Sequence, residues 1–350
     1  MAVDPNKQSA RHGGLVHVSD SAPGLRRKRA GKGFAYVDAR GRAVRNRSAL
    51  QRIRGLAVPP AWTDVWICAR PDGHIQATGR DARGRKQYRY HPRWLEVRDA
   101  EKFDRIVAFG AALPRLRRAL RRDLALDGLP RDKVTAMVVA IMGDTLVRIG
   151  NDEYARDNQS FGLTTLRNRH VDFAAGRARL RFKGKSGQEH DVVLDDARVA
   201  RLVRRIQQLP GQSLFQYLDD DGKPQPVDSG TVNDYLRDAM DDDFTAKDFR
   251  TWGATLSAVR LLADQDVPLK ANGALNQRVA TALRNTVVER VAKRLRNTPA
   301  VCRKSYIAPA VFGCWEDGRL HRACANARGP RQWEQAGLRL LRAAHRGAAK

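Results

Sequence analysis

The sequence predicts an α+β chain: a small β-rich N-terminal domain followed by a larger, mainly α-helical domain interrupted by one β-hairpin. Three observations carry this. The chain is 350 residues long, more than one ordinary domain of about 100–200 residues holds. Residues 33–90 alternate short apolar runs with Gly, Pro and Asp turns. Beyond residue 96 the apolar residues recur at helical spacing. The expected organisation is a flexible basic segment over 1–32, a β-rich domain over 33–95 and a helical domain over 96–350 that ends in a basic tail. Hydrophobic residues make up 42% of the chain, enough to build a core.

Residues 1–14 read as polar and loose, and 24–32 (GLRRKRAGK) as a flexible or polyanion-contacting run. Strands are expected at 34–37, 65–69 and 74–78, with Asp72-Gly73 as a hairpin turn between the last two. Helical spacing begins with Phe103, Ile106, Val107 and Leu113, and Pro114 is expected to break it. A helix over 131–149 should stop at Gly150-Asn151. Further helices are expected at 197–209, 229–240 (capped by Ser229), 247–263 and 274–296. Residues 178–182 and 190–194 flank KGKSGQ and read as strand, turn and strand. In the tail, Arg319 through Lys350, the apolar Trp333, Leu338 and Leu341 favour partial docking.

Lysine and arginine number 65 against 38 acids, a net charge of +27. That excess excludes an ordinary neutral metabolic enzyme as the default reading and points to a polyanion. Basic residues run along the whole chain, and arginine dominates, as in Arg115-Leu116-Arg117-Arg118. Guanidinium forks match phosphate oxygens, so nucleic acid is the favoured partner. No run of 18 apolar residues suggests a membrane span, and the first residues lack the apolar core of a secretory signal. Cys68, Cys302, Cys314 and Cys324 form no Cys-x-x-Cys pair, which argues against zinc and for reduced thiols in a cytoplasmic compartment.

Cutting and resealing a phosphodiester without metal or ATP needs three kinds of side chain. A nucleophile attacks phosphorus, cations neutralise the non-bridging oxygens, and a donor protonates the departing sugar oxygen. A tyrosyl phosphodiester is close in energy to the bond it replaces, so the exchange is reversible. The chain holds candidates in order: Arg148 at the end of an apolar helix, Lys185 at a hairpin tip, Arg250 in Lys247-Asp248-Phe249-Arg250-Thr251, and Tyr306 after Arg303-Lys304-Ser305.

This order and spacing resemble the type IB DNA topoisomerases, in particular their poxvirus-like and bacterial branch. The resemblance also takes in Gly84-Arg85-Lys86-Gln87-Tyr88-Arg89-Tyr90 and Gly162-Leu163-Thr164-Thr165-Leu166. It implies Tyr306 as the nucleophile forming a 3′-phosphotyrosyl bond, Arg148 and Arg250 as the phosphate clamp, and Lys185 as the general acid. Asn297 stands where many members carry a histidine; an amide can donate a hydrogen bond but adds no charge. The resemblance assigns DNA contact to Arg85, Gln87, Tyr88, Tyr90, Tyr154 and Lys247. It further implies a two-lobed clamp around double-stranded DNA, relaxation of positive and negative supercoils, no cofactor or metal, and a monomeric, nucleoid-associated protein with no obligate protein partner.

Two rivals remain at the level of sequence. A tyrosine recombinase would share the Arg–Lys–Arg–Tyr chemistry, but recombinases usually carry histidine where this chain has Lys247, and their N-terminal domain is helical. An architectural DNA-binding protein would fit the charge equally well but gives no reason for the tyrosine.

Overall fold

A computed structural model describes residues 5–31 and 33–348. The chain divides into two compact units, one up to Phe103 and one from Asp104 onward. The architecture mixes helix and sheet, with the smaller sheet-bearing unit first.

In the first unit, helix α1 (Pro5–His12) precedes strands β1 (Leu25–Ala30) and β2 (Gly33–Val37), helix α2 (Arg47–Gly55), and strands β3 (Thr63–Ile67), β4 (Ile75–Arg80) and β5 (Lys86–Tyr90). The strands form one antiparallel sheet in the order β2-β1-β3-β4-β5. Its core is Ile53 of α2 packed on Val65, Ile67 and Ala77, with Leu25, Tyr36 and Trp62 around them. Two readings change here. Within the basic run, Leu25–Ala30 is an interior strand of the sheet, because Leu25 joins the core while Arg27 donates to the carbonyls of Val58, Pro59 and Trp62. The N-terminal segment is anchored as well: Ala10 and Leu15 are buried against Trp94.

Helix α3 (Pro92–Leu124) opens with proline at its first position, where a missing N–H costs nothing, and then runs straight through Pro114. The expected break does not occur. Ile106, Phe109, Leu113 and Leu116 bury one face across the proline, and that packing outweighs the lost hydrogen bond and ring clash of about 3 kcal/mol.

The second unit continues with α4 (Arg131–Thr145), α5 (Asp152–Asn158), the antiparallel sheet β6 (Val171–Ala174), β7 (Arg177–Lys183) and β8 (Glu189–Leu194), then α6 (Ala197–Gln207). A small ribbon of β9 (Gln216–Leu218) and β10 (Pro224–Pro226) leads to α7 (Ser229–Met240), whose cap is Asp228, not Ser229: its carboxylate accepts from the Thr231 N–H. Next come α8 (Ala246–Ala263), α9 (Gln277–Leu295), α10 (Pro299–Ser305), α11 (Ala310–Glu316), α12 (Arg319–Cys324) and α13 (Pro330–Ala348).

Helix α8 is the centre of this unit. It buries Phe249, Trp252, Ala254, Ala258, Val259 and Leu262 and packs against α4, α7, α9 and α11–α13, which is why it is apolar on nearly every side. The basic tail docks on it. Trp315 is fully buried with its indole N–H on the Gln265 carbonyl, Arg284 pairs with Glu316 at 2.7 Å, and Glu334 pairs with Arg117. All four cysteines are buried and unbridged. Among the described residues no helix is long and apolar enough to cross a membrane.

Candidate active site

Five segments of the second unit deliver the expected side chains to one region, and each is fixed by its own local chemistry. Arg148 follows α4. That helix stops at Thr145, earlier than expected, because Leu146 turns left-handed (φ 57). Arg148 therefore lies on an extended segment rather than on a helix end. Its backbone is docked on the Gly162–Leu166 block: Leu163 N–H donates to the Arg148 carbonyl at 2.9 Å and Thr164 N–H to the Ile149 carbonyl at 2.7 Å. Gly162 permits this approach, since a Cβ there would lie 2.6 Å from the Arg148 oxygen.

Arg250 sits in the second turn of α8. The start of that helix is locked by Asp248, whose carboxylate accepts from the Thr245 N–H at 2.8 Å and from the Thr245 hydroxyl at 3.1 Å. Arg105 pairs with the same carboxylate at 3.3 Å. The Arg250 guanidinium is 4% exposed and forks between two carbonyls, Leu146 O and Leu295 O, the latter at 2.8 Å. Those residues come two positions before Arg148 and Asn297, so Arg250 ties both segments together. Asn297 follows α9, which also ends in a left-handed residue, Arg296 (φ 51). Its amide oxygen accepts from Arg148 Nη2 at 2.5 Å.

Tyr306 closes α10, with Arg250 Cζ 5.2 Å from its ring centroid. Its phenol is within hydrogen-bonding reach of both guanidiniums. Thr255, one and a half turns beyond Arg250, holds the same segment: its hydroxyl donates to the Tyr306 carbonyl and accepts from the Ala308 N–H, each at 3.1 Å. Lys185 occupies the tip between β7 and β8, where the left-handed Ser186 (φ 62) and Gly187 (φ 73) reverse the chain.

A cleft of ≈ 300 Å³ is lined by Arg148, Lys185, Lys247, Arg250 and Tyr306, while Asn297 stands behind Arg148 and does not line it. Four cations face it, and among the described residues no carboxylate does. Arg148 Nη1, Arg250 Nε and Asn297 Nδ2 are buried with no hydrogen-bond acceptor among the described residues. Orphaned donors on the two arginines beside the tyrosine, with that of Asn297 behind Arg148, suit an anion with several oxygens. Burial pushes the Tyr306 phenol up, but the Arg250 charge and hydrogen bond, then Arg148 and Lys247, outweigh it and hold the phenol below its ordinary range. Burial, then Arg250, also disfavours the charged form of Arg148; an anion in the cleft would relieve that. Among the described residues no group of His, Cys, Asp and Glu has the arrangement of a metal site.

Of the residues expected to contact DNA, Lys247 lines the cleft, and the side chain of Tyr154 lies outside the described residues. Arg85, Gln87, Tyr88 and Tyr90 belong to the first unit. Tyr88 and Tyr90 share one face of β5 with parallel rings 5.8 Å apart, and both are exposed. Asp81 organises their neighbours, accepting from Arg85 Nε at 2.9 Å and Gln87 Nε2 at 3.0 Å. The Arg85 bonds, opposed by burial, hold the Asp81 carboxyl at about 2. Sequence reasoning missed Thr255, Asp248 and Arg105; only the Thr245-x-x-Asp248 spacing, a capping-box pattern, carried a local signal.

Residues 87–311 match the family model for the catalytic core of eukaryotic DNA topoisomerase I, and residues 33–81 match the model for the N-terminal domain of bacterial DNA topoisomerase IB. The DNA topoisomerase 1B of Acanthamoeba polyphaga mimivirus is 34% identical over 291 residues, covering 81% of this chain and 85% of that protein. The DNA topoisomerase 1B of Vaccinia virus (strain Copenhagen) is 20% identical over 244 residues, 68% of this chain and 72% of its own.

Proposed function

The chain belongs to the type IB DNA topoisomerases, and from that premise we propose that it relaxes positive and negative supercoils through a transient 3′-phosphotyrosyl bond, with no need of ATP or metal. The observation that carries the reading is the cleft itself: a tyrosine beside one buried and one half-buried arginine whose spare donors have no acceptor among the described residues, and whose described lining includes no carboxylate.

The steps follow from the side chains. The Tyr306 oxygen bonds to phosphorus as its proton passes to solvent water, from which the Lys185 amine regains the proton it gives up below. Arg148, Arg250 and the Asn297 amide hold the non-bridging oxygens as charge grows on them. The bond from phosphorus to the 5′-oxygen breaks with its electron pair on oxygen, and that oxygen takes a proton from the Lys185 ammonium. Proton count and ester count are unchanged, so religation is the same path reversed, after the free end has rotated. Lys247 adds charge at the rim. In the first unit, Arg85, Gln87, Tyr88 and Tyr90 hold the duplex, and the two lobes act as a clamp around it; Tyr154 joins the contacts.

The deciding assay is relaxation of a supercoiled plasmid in EDTA. The unaltered protein should relax both signs of supercoil, and Tyr306→Phe should be slower by at least about 10⁴-fold. Denaturing mid-reaction should leave the protein on the 3′ side of a nick. Equal activity of the two proteins, or attachment through another residue, would remove Tyr306 as nucleophile. Joining of two duplexes without relaxation would favour a recombinase.

A further inference from the structure

We propose that His190 is a positioning residue: its imidazole is the floor on which the Gly184–Lys185 turn rests, and it sets where the Lys185 ammonium sits over the cleft. The inference rests on the reading of Lys185 as proton donor.

His190 stands directly opposite Phe182 on the β7–β8 ladder. The two rings are parallel within 2°, with centroids 4.7 Å apart, and both side chains are 7% exposed. The ring is therefore held on one side by Phe182. The turn lies on it as well. A Cβ added to Gly184 would come within 2.7 Å of His190 Nε2 and 2.8 Å of its Cδ2. Gly184 itself is extended (φ −97, ψ −165), a conformation open to any residue. What demands glycine there is the imidazole, not the backbone. Lys185 is the next residue. From the other side, the Phe161 N–H donates to the Lys183 carbonyl at 2.8 Å, and Phe161 lines the same cleft as Lys185. Both ends of the descent into the tip are thus fixed.

The ring's surroundings also keep it uncharged. Burial first, then Arg148, Arg296 and Arg250, push its pKa down to about 4. A neutral ring supports the turn without adding a fifth cation to a cleft that already holds four.

The test is single-turnover cleavage of two duplexes, one ordinary and one with sulfur replacing the 5′-bridging oxygen, since sulfur departs with little need of a proton. Lys185→Ala is the reference; it should slow the ordinary duplex by about 10²–10⁴-fold and the sulfur duplex little. His190→Ala, with Lys185 present but unsupported, should slow the ordinary duplex by about 10²-fold and the sulfur duplex by no more than about threefold. His190→Phe, which restores a flat ring, should recover most of that loss. Gly184→Ala should slow the ordinary duplex, and adding His190→Ala to it should cause no further loss, because the ring that clashes with the new methyl is gone.

Equal slowing of both duplexes by His190→Ala, or none, while Lys185→Ala stays selective would overturn the inference. Loss of selectivity in Lys185→Ala itself would instead overturn the proton-donor reading, and the inference with it. Should His190→Ala fail to bind duplex noncovalently, Gly184→Ala, which removes no buried group, decides by the same pair of substrates.

Discussion

Arg85 and Arg250 carry the same guanidinium in opposite circumstances. Arg85 is on the surface, and the Asp81 carboxylate lies 2.8 Å away. Arg250 is buried, and it donates to the backbone carbonyls of Leu146 and Leu295 beside the Tyr306 phenol. The outer face of the β6–β7–β8 sheet repeats the first pattern, with Arg179 on Asp191 and Arg181 on Asp172. A cation that already has a carboxylate can exchange it for a phosphate at little net change, which suits grip and release. A buried cation without a counter-ion gains most where negative charge grows, which suits chemistry. The paired cations should govern binding and the unpaired ones rate.

The largest expected effect is that of Arg250→Lys. Lysine keeps the charge but cannot span both carbonyls while reaching a phosphate, so the anchoring of Arg148 and Asn297 loosens together. Single-turnover cleavage should fall by about 10³-fold while noncovalent duplex affinity stays within about threefold. Full activity in Arg250→Lys would break the comparison, because charge alone would then suffice.

Thr255→Val comes next. It removes the hydroxyl that bridges the Tyr306 carbonyl and the Ala308 N–H but leaves every cation in place. Cleavage should slow by about tenfold, with binding unchanged. A change in affinity instead of rate would mean that the clip serves the fold at large and not the nucleophile.

The smallest effect belongs to the first unit. Asp81→Asn releases Arg85 and Gln87 from their clasp and removes one negative charge. Duplex affinity at low salt should rise by about threefold, and the slope of log affinity against log salt should steepen by about one, with the cleavage rate of bound duplex unaltered. A matching change in that rate would blur the division between grip and chemistry.

Much of this was legible in the sequence because it depends on neighbours along the chain. The hairpin around Lys185 spans residues 177–194, within a residue of its expected edges on the inner side, since Gly-Lys-Ser-Gly between alternating apolar positions has few other solutions. Helices α7 and α8 fall within a residue of expectation for the same reason. What the chain order could not show is set across it. Pro114 stays inside α3 because a continuous apolar face holds the helix. Leu146 ends α4 early because its side chain fills the space that Gly253 leaves, where a Cβ would meet it at 2.5 Å, and its carbonyl meets Arg250. Thr255 and His190 touch their partners 51 and 6 residues away, and nothing in their local sequence marks them. The tail, ambiguous between tether and docked helix, is docked because Leu320, Ala336, Leu340 and Leu341 are buried and α12 and α13 pack on α8.

Leu146, Ser186 and Arg296 are left-handed without being glycine, and each is adjacent to, or two residues from, a member of the cleft. A side chain in that conformation costs roughly 1 kcal/mol, and the surrounding packing must overcome it three times within one site. Breeding this protein purely for heat resistance would therefore tend to substitute glycine or asparagine at Ser186 and Arg296, but not at Leu146, whose buried side chain fills the space beside Gly253. The hardened descendants would melt later and turn over more slowly, because the same torsions that burden the native state aim the reactive groups.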